Sequence, residues 1–332
     1  VIEMAVDIQQ IPAPPFGERR RGEFVRDQFS QNGLSDVSMD ELYNVYARIP
    51  GSGQTRPLIV SAHLDTVFPM DTDLLVRREG ARIYGPGIGD NSLGVAGLFG
   101  LSWLFSDQEL PGDLWLVANV GEEGLGDLSG MKAVVDRFDD QVLAYLILEG
   151  MALGTVYHRA LGVERYKINV KTPGGHSWVN FGKPSAIHEM AGLITKLADI
   201  QLPKQPRTTF NVGVISGGTS VNTIAEIAEM QLDLRSEDKG MLDYLVKQVD
   251  DRIAKAQKTD VQVTKEVIGK RPPGEIPTDH ALVQLVKTCL VDQGLRASLA
   301  IGSTDANIPL SRGIPAVCLG LTSGSGAHTQ NE

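Results

Sequence analysis

Leu58-Ile59-Val60-Ser61-Ala62-His63-Leu64-Asp65 decides the reading of this chain. The apolar run Leu58–Val60, leading into a histidine and an aspartate, reads as a buried strand that ends in chemistry. Three further runs have the same form: Leu114–Val120 before Glu122 and Glu123, Leu143–Leu148 before Glu149, and Ala316–Leu321 before His328. Helical patterns lie between them, at Leu93–Phe105 and Gly130–Phe138. Strands alternating with helices predict an α/β fold with a mostly parallel sheet and helices on both faces. In such sheets the ligand site lies beyond the carboxyl ends of the strands, where these polar residues gather.

The middle of the chain has another rhythm. Val163–Val170 alternates as a strand, Ser185–Ala198 reads as a helix, and Phe210–Val214 and Ile227–Leu234 as strands. Met241–Ala256 is an amphipathic helix, and Val261–Val267 alternates again. The order β-α-β-β-α-β predicts a ferredoxin-like α+β unit. It is inserted in the first domain, since strand and helix patterns resume near Thr278. The expected division is 1–157 with 270–332 for a catalytic domain and 158–269 for the insert.

A length of 332 residues favours two domains, and 42% hydrophobic with 22% charged residues is the balance of a globular protein. The net charge of −10, without a basic stripe, excludes a nucleic-acid footprint. No run is long enough to span a membrane. The expected compartment is the cytoplasm. The chain begins at Val1 rather than Met, which leaves room for a removed leader, and the natural C-terminus is expected beyond Glu332. Its two cysteines, Cys289 and Cys318, both lie in apolar stretches and are expected as buried free thiols.

His63 and Asp65 are two apart on a strand and face the same way. One can bind a metal while the other orients it. Gly85-Pro86-Gly87-Ile88-Gly89 permits a tight turn that delivers Asp90 to the same sheet edge. A dinucleotide fingerprint fails here on spacing. Alone, this turn with Asp90 reads equally well as a solvated loop, and Glu122-Glu123 better as one. Glu149, directly after five apolar residues, is costly unless paired or coordinated. Together, His63, Asp90, Glu123, Glu149 and His328 form a set suited to Zn²⁺, with Co²⁺ or Mn²⁺ as alternatives. Three carboxylates and a hydroxide balance two divalent cations, and Asp90 is the choice for the bridge.

His63-Leu64-Asp65-Thr66-Val67, Tyr84-Gly85-Pro86-Gly87-Ile88-Gly89-Asp90-Asn91, Gly121-Glu122-Glu123-Gly124 and Ala327-His328-Thr329 resemble the M20 metallopeptidase family. That group includes glutamate carboxypeptidases, aminoacylases, desuccinylases and tripeptidases. Gly302-Ser303-Thr304-Asp305-Ala306 and the Gly-Pro-Gly-Ile stretch point to the carboxypeptidase branch. The resemblance implies two zinc ions, one held by His63 and Glu149, the other by Glu123 and His328, with Asp90 bridging and a cis peptide to Asn91. Glu122 would be the general base, acting on a metal-bridging hydroxide, and Asp65 would orient His63. A Glu at 149 matches carboxypeptidase and deacylase members, where tripeptidases carry Asp.

The insert would be a lid and dimerisation domain. His176, in Gly174-Gly175-His176-Ser177, would reach a partner subunit's site, and Asn222 and Arg235 would hold the substrate carboxylate. His158, His188 and His280 match nothing and are read as structural or exposed. Many relatives place a Lys two residues after the bridging Asp; here the order is Asp90-Asn91-Ser92.

The implied function is hydrolysis of a peptide or amide bond in a small substrate with a free carboxylate, by a homodimer. The alternatives are an N-acyl amino acid deacylase or desuccinylase, and a catalytically silent binding protein on the same fold. No Gly-x-Ser-x-Gly elbow is present, which disfavours a serine hydrolase.

Overall fold

The computed structural model describes residues 1–332. It divides into two compact units, Val1–Ala160 with Gly274–Glu332, and Leu161–Pro273. The sequence reading drew these lines at 157/158 and 269/270. The first unit carries on to Ala160 because Thr155–Ala160 is a strand of its own sheet, paired with Ala316–Gly320 and Ser298–Gly302.

The first unit holds a nine-stranded sheet. Its centre runs Leu114–Asn119, Leu58–His63, Ala144–Leu153, Ala316–Gly320, all parallel, and these are the four apolar runs of the sequence. Antiparallel strands flank them. Val45–Ile49 and Ser35–Met39 lie on one side, Thr155–Ala160 and Gly274–Glu275 on the other. Alternate side chains go to opposite faces. Ile59, Val117, Tyr145 and Ile147 join one core with Met131, Val134 and Val283. Val60, Leu116, Ala118 and Leu148 join another with Ile8, Phe29, Leu98 and Phe99. Helices Ser129–Phe138 and Ala281–Asp292 supply the first core. Ile2–Gln9, Arg19–Gln31 and Gly94–Leu104 supply the second. Burial on both faces is why apolar residues fill most positions of these strands, and each large side chain so buried contributes about 1.5–3 kcal/mol.

The cysteine expectation needs correction. Cys318 is buried, but Cys289 is exposed. In helix Ala281–Asp292 only Val283 and Val286 are buried. Cys289 lies six residues past Val283, roughly 240° around the helix, so it faces away from the core despite its apolar neighbours.

The second unit is a four-stranded antiparallel sheet in the order Thr208–Gly217, Ile227–Ser236, Gly162–Lys171, Gln262–Arg271. With helices Ala186–Ala198 and Lys239–Ala256 this is the ferredoxin-like order. Tyr166, Ile168, Val170, Met230 and Leu232 pack against Met190, Leu193, Leu245 and Val249. Both helices draw on this one core, while Arg165, Lys167, Asp233 and Arg235 alternate with the buried strand residues.

One close approach governs the carboxyl edge of the first sheet. A Cβ built at Gly150 would lie 1.6 Å from the carbonyl oxygen of Gly89. Gly150 follows Glu149 and Gly89 precedes Asp90, so backbone touches backbone where an acid-bearing strand meets an acid-bearing turn. Gly150→Ala is expected to destabilise by about 1–3 kcal/mol or more, because neither backbone can yield without moving its acid. Urea unfolding of the purified variant measures this.

Candidate metal centre

His63 is the last residue of its strand. Glu149 lies in the adjacent strand, which continues to Leu153. Glu122 and Glu123 follow Leu114–Asn119 in a loop, and Asp90 lies in the irregular helical turn Ile88–Leu93. His328 comes from the segment after Ala316–Gly320. Five separate segments thus deliver side chains to one end of the sheet.

These side chains converge. Asp90 Oδ1 is 3.2 Å from His63 Nε2, and Asp90 Oδ2 is 3.3 Å from His328 Nε2. Glu149 Oε2 is 3.5 Å from His63 Nε2, and Glu123 Oε1 is 3.1 Å from His328 Nε2. Two triads result: His63, Asp90, Glu149 and Asp90, Glu123, His328, each with ligand atoms within 4.8 Å of one another. Asp90 belongs to both and turns one oxygen to each. Nitrogen and carboxylate oxygen around a shared carboxylate are the donors that suit a pair of borderline divalent cations. The residues fit such a pair.

Asp65 meets His63 at two points. His63 Nδ1 is 2.9 Å from the backbone carbonyl of Asp65, whereas the carboxylate stands 3.5 Å away. Donation from Nδ1 to that carbonyl fixes the ring so that Nε2 faces Asp90 and Glu149. The Asp65 carboxylate itself, fully buried, accepts the backbone N–H groups of Glu122 at 3.0 Å and Glu123 at 2.7 Å. It therefore holds the two-acid loop in place. Burial works against its charge, but His63 and these amides keep its pKa below the ordinary value.

The charges strain one another. Burial and neighbouring acids push Glu123 and Glu149 upward, although the histidines oppose this. Burial would depress His63, yet Glu149, Asp65 and Asp90 lift it well above its usual range. The hydrogen bond to Asp90, with Glu123 beside it, raises His328 to about 9. Asp90 stays well below the carboxylate range because His328 and His63 outweigh burial.

Several supporting residues escaped the sequence reading. Buried Glu18 accepts the N–H of Gly121 at 3.2 Å, and burial raises its pKa to about 7. Buried Arg21 donates to the carbonyls of Leu64 at 2.6 Å and Ile11 at 2.8 Å. Glu332 accepts from Gly89 N at 2.8 Å and Asp90 N at 2.6 Å. Asn91 donates to the carbonyl of Leu148 at 2.9 Å. The peptide joining it to Asp90 is cis. Asn119 donates to buried Asp305 at 2.7 Å. Glu18 and Arg21 sit in the charged run Glu18-Arg19-Arg20-Arg21, which reads as a solvated face. Asn91, Asn119 and Asp305 lay in stretches the sequence had singled out.

In the second unit, exposed His176 and Asn222 are close partners. Ser177 N donates to the carbonyl of Asn222 at 3.0 Å, and Gly175–His176 pairs with Thr223–Ile224. Arg235 stands elsewhere. It lies eight residues past Ile227 on the same strand, about 26 Å by strand rise. Its Nε donates to Asp233 at 2.7 Å, and Arg165 shares that carboxylate at 3.0 Å. His158 is buried against the carbonyl of Ile276, His280 caps helix Ala281–Asp292, and His188 is exposed.

A parallel α/β sheet with this cage at its carboxyl edge defines a metal-dependent hydrolase. The pattern of peptidase family M20/M25/M40 matches residues 59–332, and the chain belongs to that family. It is 31% identical over 202 residues to a peptidase M20 domain-containing protein of Schizosaccharomyces pombe, covering 58% of this chain and 48% of that one. It is 26% identical over 265 residues to a probable carboxypeptidase of Trichophyton verrucosum, covering 72% and 56%. The chain thus spans about half the length of these two relatives. A tripeptidase structure from Staphylococcus aureus superposes with a TM-score of 0.84 over 99% of this chain and 91% of that one, at 24% identity. At that identity the likeness is one of fold.

Asp65→Asn puts an amide where two N–H groups need an acceptor. Zinc affinity is expected to fall about 10–100-fold with the fold retained, as measured by competition with a chromophoric chelator.

Proposed function

We propose that this chain is a di-zinc amidohydrolase that cuts a peptide or amide bond in a small substrate with a free carboxylate. The observation that carries the reading is the pair of triads sharing Asp90. His63 and Glu149 would hold one cation, Glu123 and His328 the other, and Asp90 both. Bound there, the cations supply Lewis acidity and a water acidic enough to attack at neutral pH.

The chain's own residues do the rest. Buried Glu122, its N–H fixed by Asp65, takes the proton of the attacking water and returns it to the leaving amine. His176 accepts from the N–H groups of Trp178 and Val179 through Nδ1, so in its neutral form the proton sits on Nε2. That outward N–H is available to an oxyanion. Because Arg235 lies far from the His176–Asn222 pair along the sheet, the two groups serve different active sites. Arg235 would grip the substrate carboxylate of one, and His176 with Asn222 would be lent by a second copy.

A homodimer through this unit follows from the same reading. Edge strand Thr208–Gly217 leaves Val214 and Ile215 exposed, a surface for pairing with its twin. No helix is long and apolar enough to cross a membrane. An N-acyl amino acid deacylase would use the same cage, and a panel of dipeptides and acyl-amino acids separates the two.

Glu122→Gln is expected to bind both metals, by elemental analysis, and to lose at least about a hundredfold in kcat. Chelator is expected to abolish wild-type turnover and zinc to restore it. Turnover comparable to wild type in the variant removes Glu122 from the role of base.

A further inference from the structure

The loops that build the metal centre carry polar ligands inward, but several of their outward positions are large and apolar. Phe16 is 77% exposed, Leu125 63%, Met70 51% and Val67 37%. Single exposed apolar residues are ordinary, whereas a group of them beside a site marks a binding surface. Each of these is tied to the cage. Val67 and Met70 continue the segment that leaves His63 and Asp65, and Leu125 is two residues past Glu123.

Phe16 is the most constrained. The N–H of Gly17 bonds to the carbonyl of Pro14 at 2.8 Å, closing a turn in which Phe16 has φ +70°. Gly or Asn usually fills such a position, since a bulky residue there is strained. Glycine stands one residue later instead, where a Cβ would lie 2.9 Å from Met70 Cε. The turn is clamped on both sides. Ala13 O accepts from Thr66 N at 2.9 Å, and Glu18 accepts from Gly121 N. A strained aromatic ring is thus held in solvent on a rigid turn bolted to both ligand-bearing loops. Strain of this kind persists where function uses it.

We infer that Phe16, Met70 and Leu125, with Val67, form an apolar lip that receives an apolar side chain of the substrate beside the scissile amide. The inference rests on the hydrolase reading and adds the substrate class: leucyl- or phenylalanyl-type substrates over glycyl or aspartyl ones.

The test uses the zinc-loaded protein and dipeptides and N-acyl amino acids in which each side of the amide is varied among Gly, Asp, Leu and Phe. Wild type is expected to favour Leu and Phe at one of the two positions. Phe16→Gly suits the turn and is expected to keep a thermal midpoint close to wild type. Its kcat/KM ratio of Phe to Gly substrates falls about tenfold, carried by KM. Leu125→Ser moves the same ratio the same way and decides the matter should Phe16→Gly fold poorly. Hydrolysis without apolar preference, or variants with an unaltered ratio, overturns the lip alone. A wild type that hydrolyses nothing in the panel overturns the hydrolase reading and the lip with it.

Discussion

The carboxylate of Asp65 is fully buried, and its two oxygens take the backbone N–H groups of Glu122 and Glu123. A buried charge is costly unless its hydrogen bonds are complete, so this group fixes whatever it touches. It touches the connections leaving two neighbouring parallel strands, Leu58–His63 and Leu114–Asn119. Its own carbonyl meanwhile sets the His63 ring. The same device recurs around the site. Glu18 takes Gly121 N, and Glu332 takes Gly89 N and Asp90 N. Three carboxylates thus bind amides of the loops that carry other carboxylates. Loops have no ladder of their own to hold them, and here charge-assisted bonds from below replace one.

The electrostatics follow from that construction. Holding Asp90, Glu123 and Glu149 together burdens each with the others' charge. Two histidines relieve part of this, Asp90 gaining most because it faces both. Two divalent cations would relieve the rest: their four positive charges meet three carboxylates and one hydroxide. The amide bonds of Asp65 to Glu122 and Glu123 and of Glu332 to Gly89 and Asp90 keep these loops from moving apart to relax. The framework therefore retains an acidic cage that the side chains alone would not maintain.

What was legible in the sequence followed burial. The four central strands were readable because both faces are covered, which leaves few polar positions to interrupt the run. The insert was readable because one face is open, which makes its strands alternate. Val45–Ile49 and Thr155–Ala160 were not singled out, since Tyr46, Arg48, His158 and Arg159 break the apolar signal. The ligand-type residues stood out as polar groups at the ends of apolar runs. The residues that hold them did not. Glu18 and Arg21 look like a charged surface until the fold buries them, and Glu332 is remote from Gly89 in sequence. Asp65 was picked out, but its amide contacts depend on the path of another loop, which no spacing encodes.

This division between cage and support bears on substrate choice. Ligand geometry is set by strand ends and amide-binding carboxylates, neither of which depends on the outward side chains of the same loops. Leu125 can change without disturbing the Asp65 bond to Glu123 N, because that bond belongs to the backbone. Phe16 can change while Glu18 still holds Gly121. The proposed lip therefore leaves the cage free to serve carboxypeptidase and deacylase chemistry alike. Lip residues raise affinity for a fitting side chain without altering the reacting groups, so their influence belongs in KM before kcat.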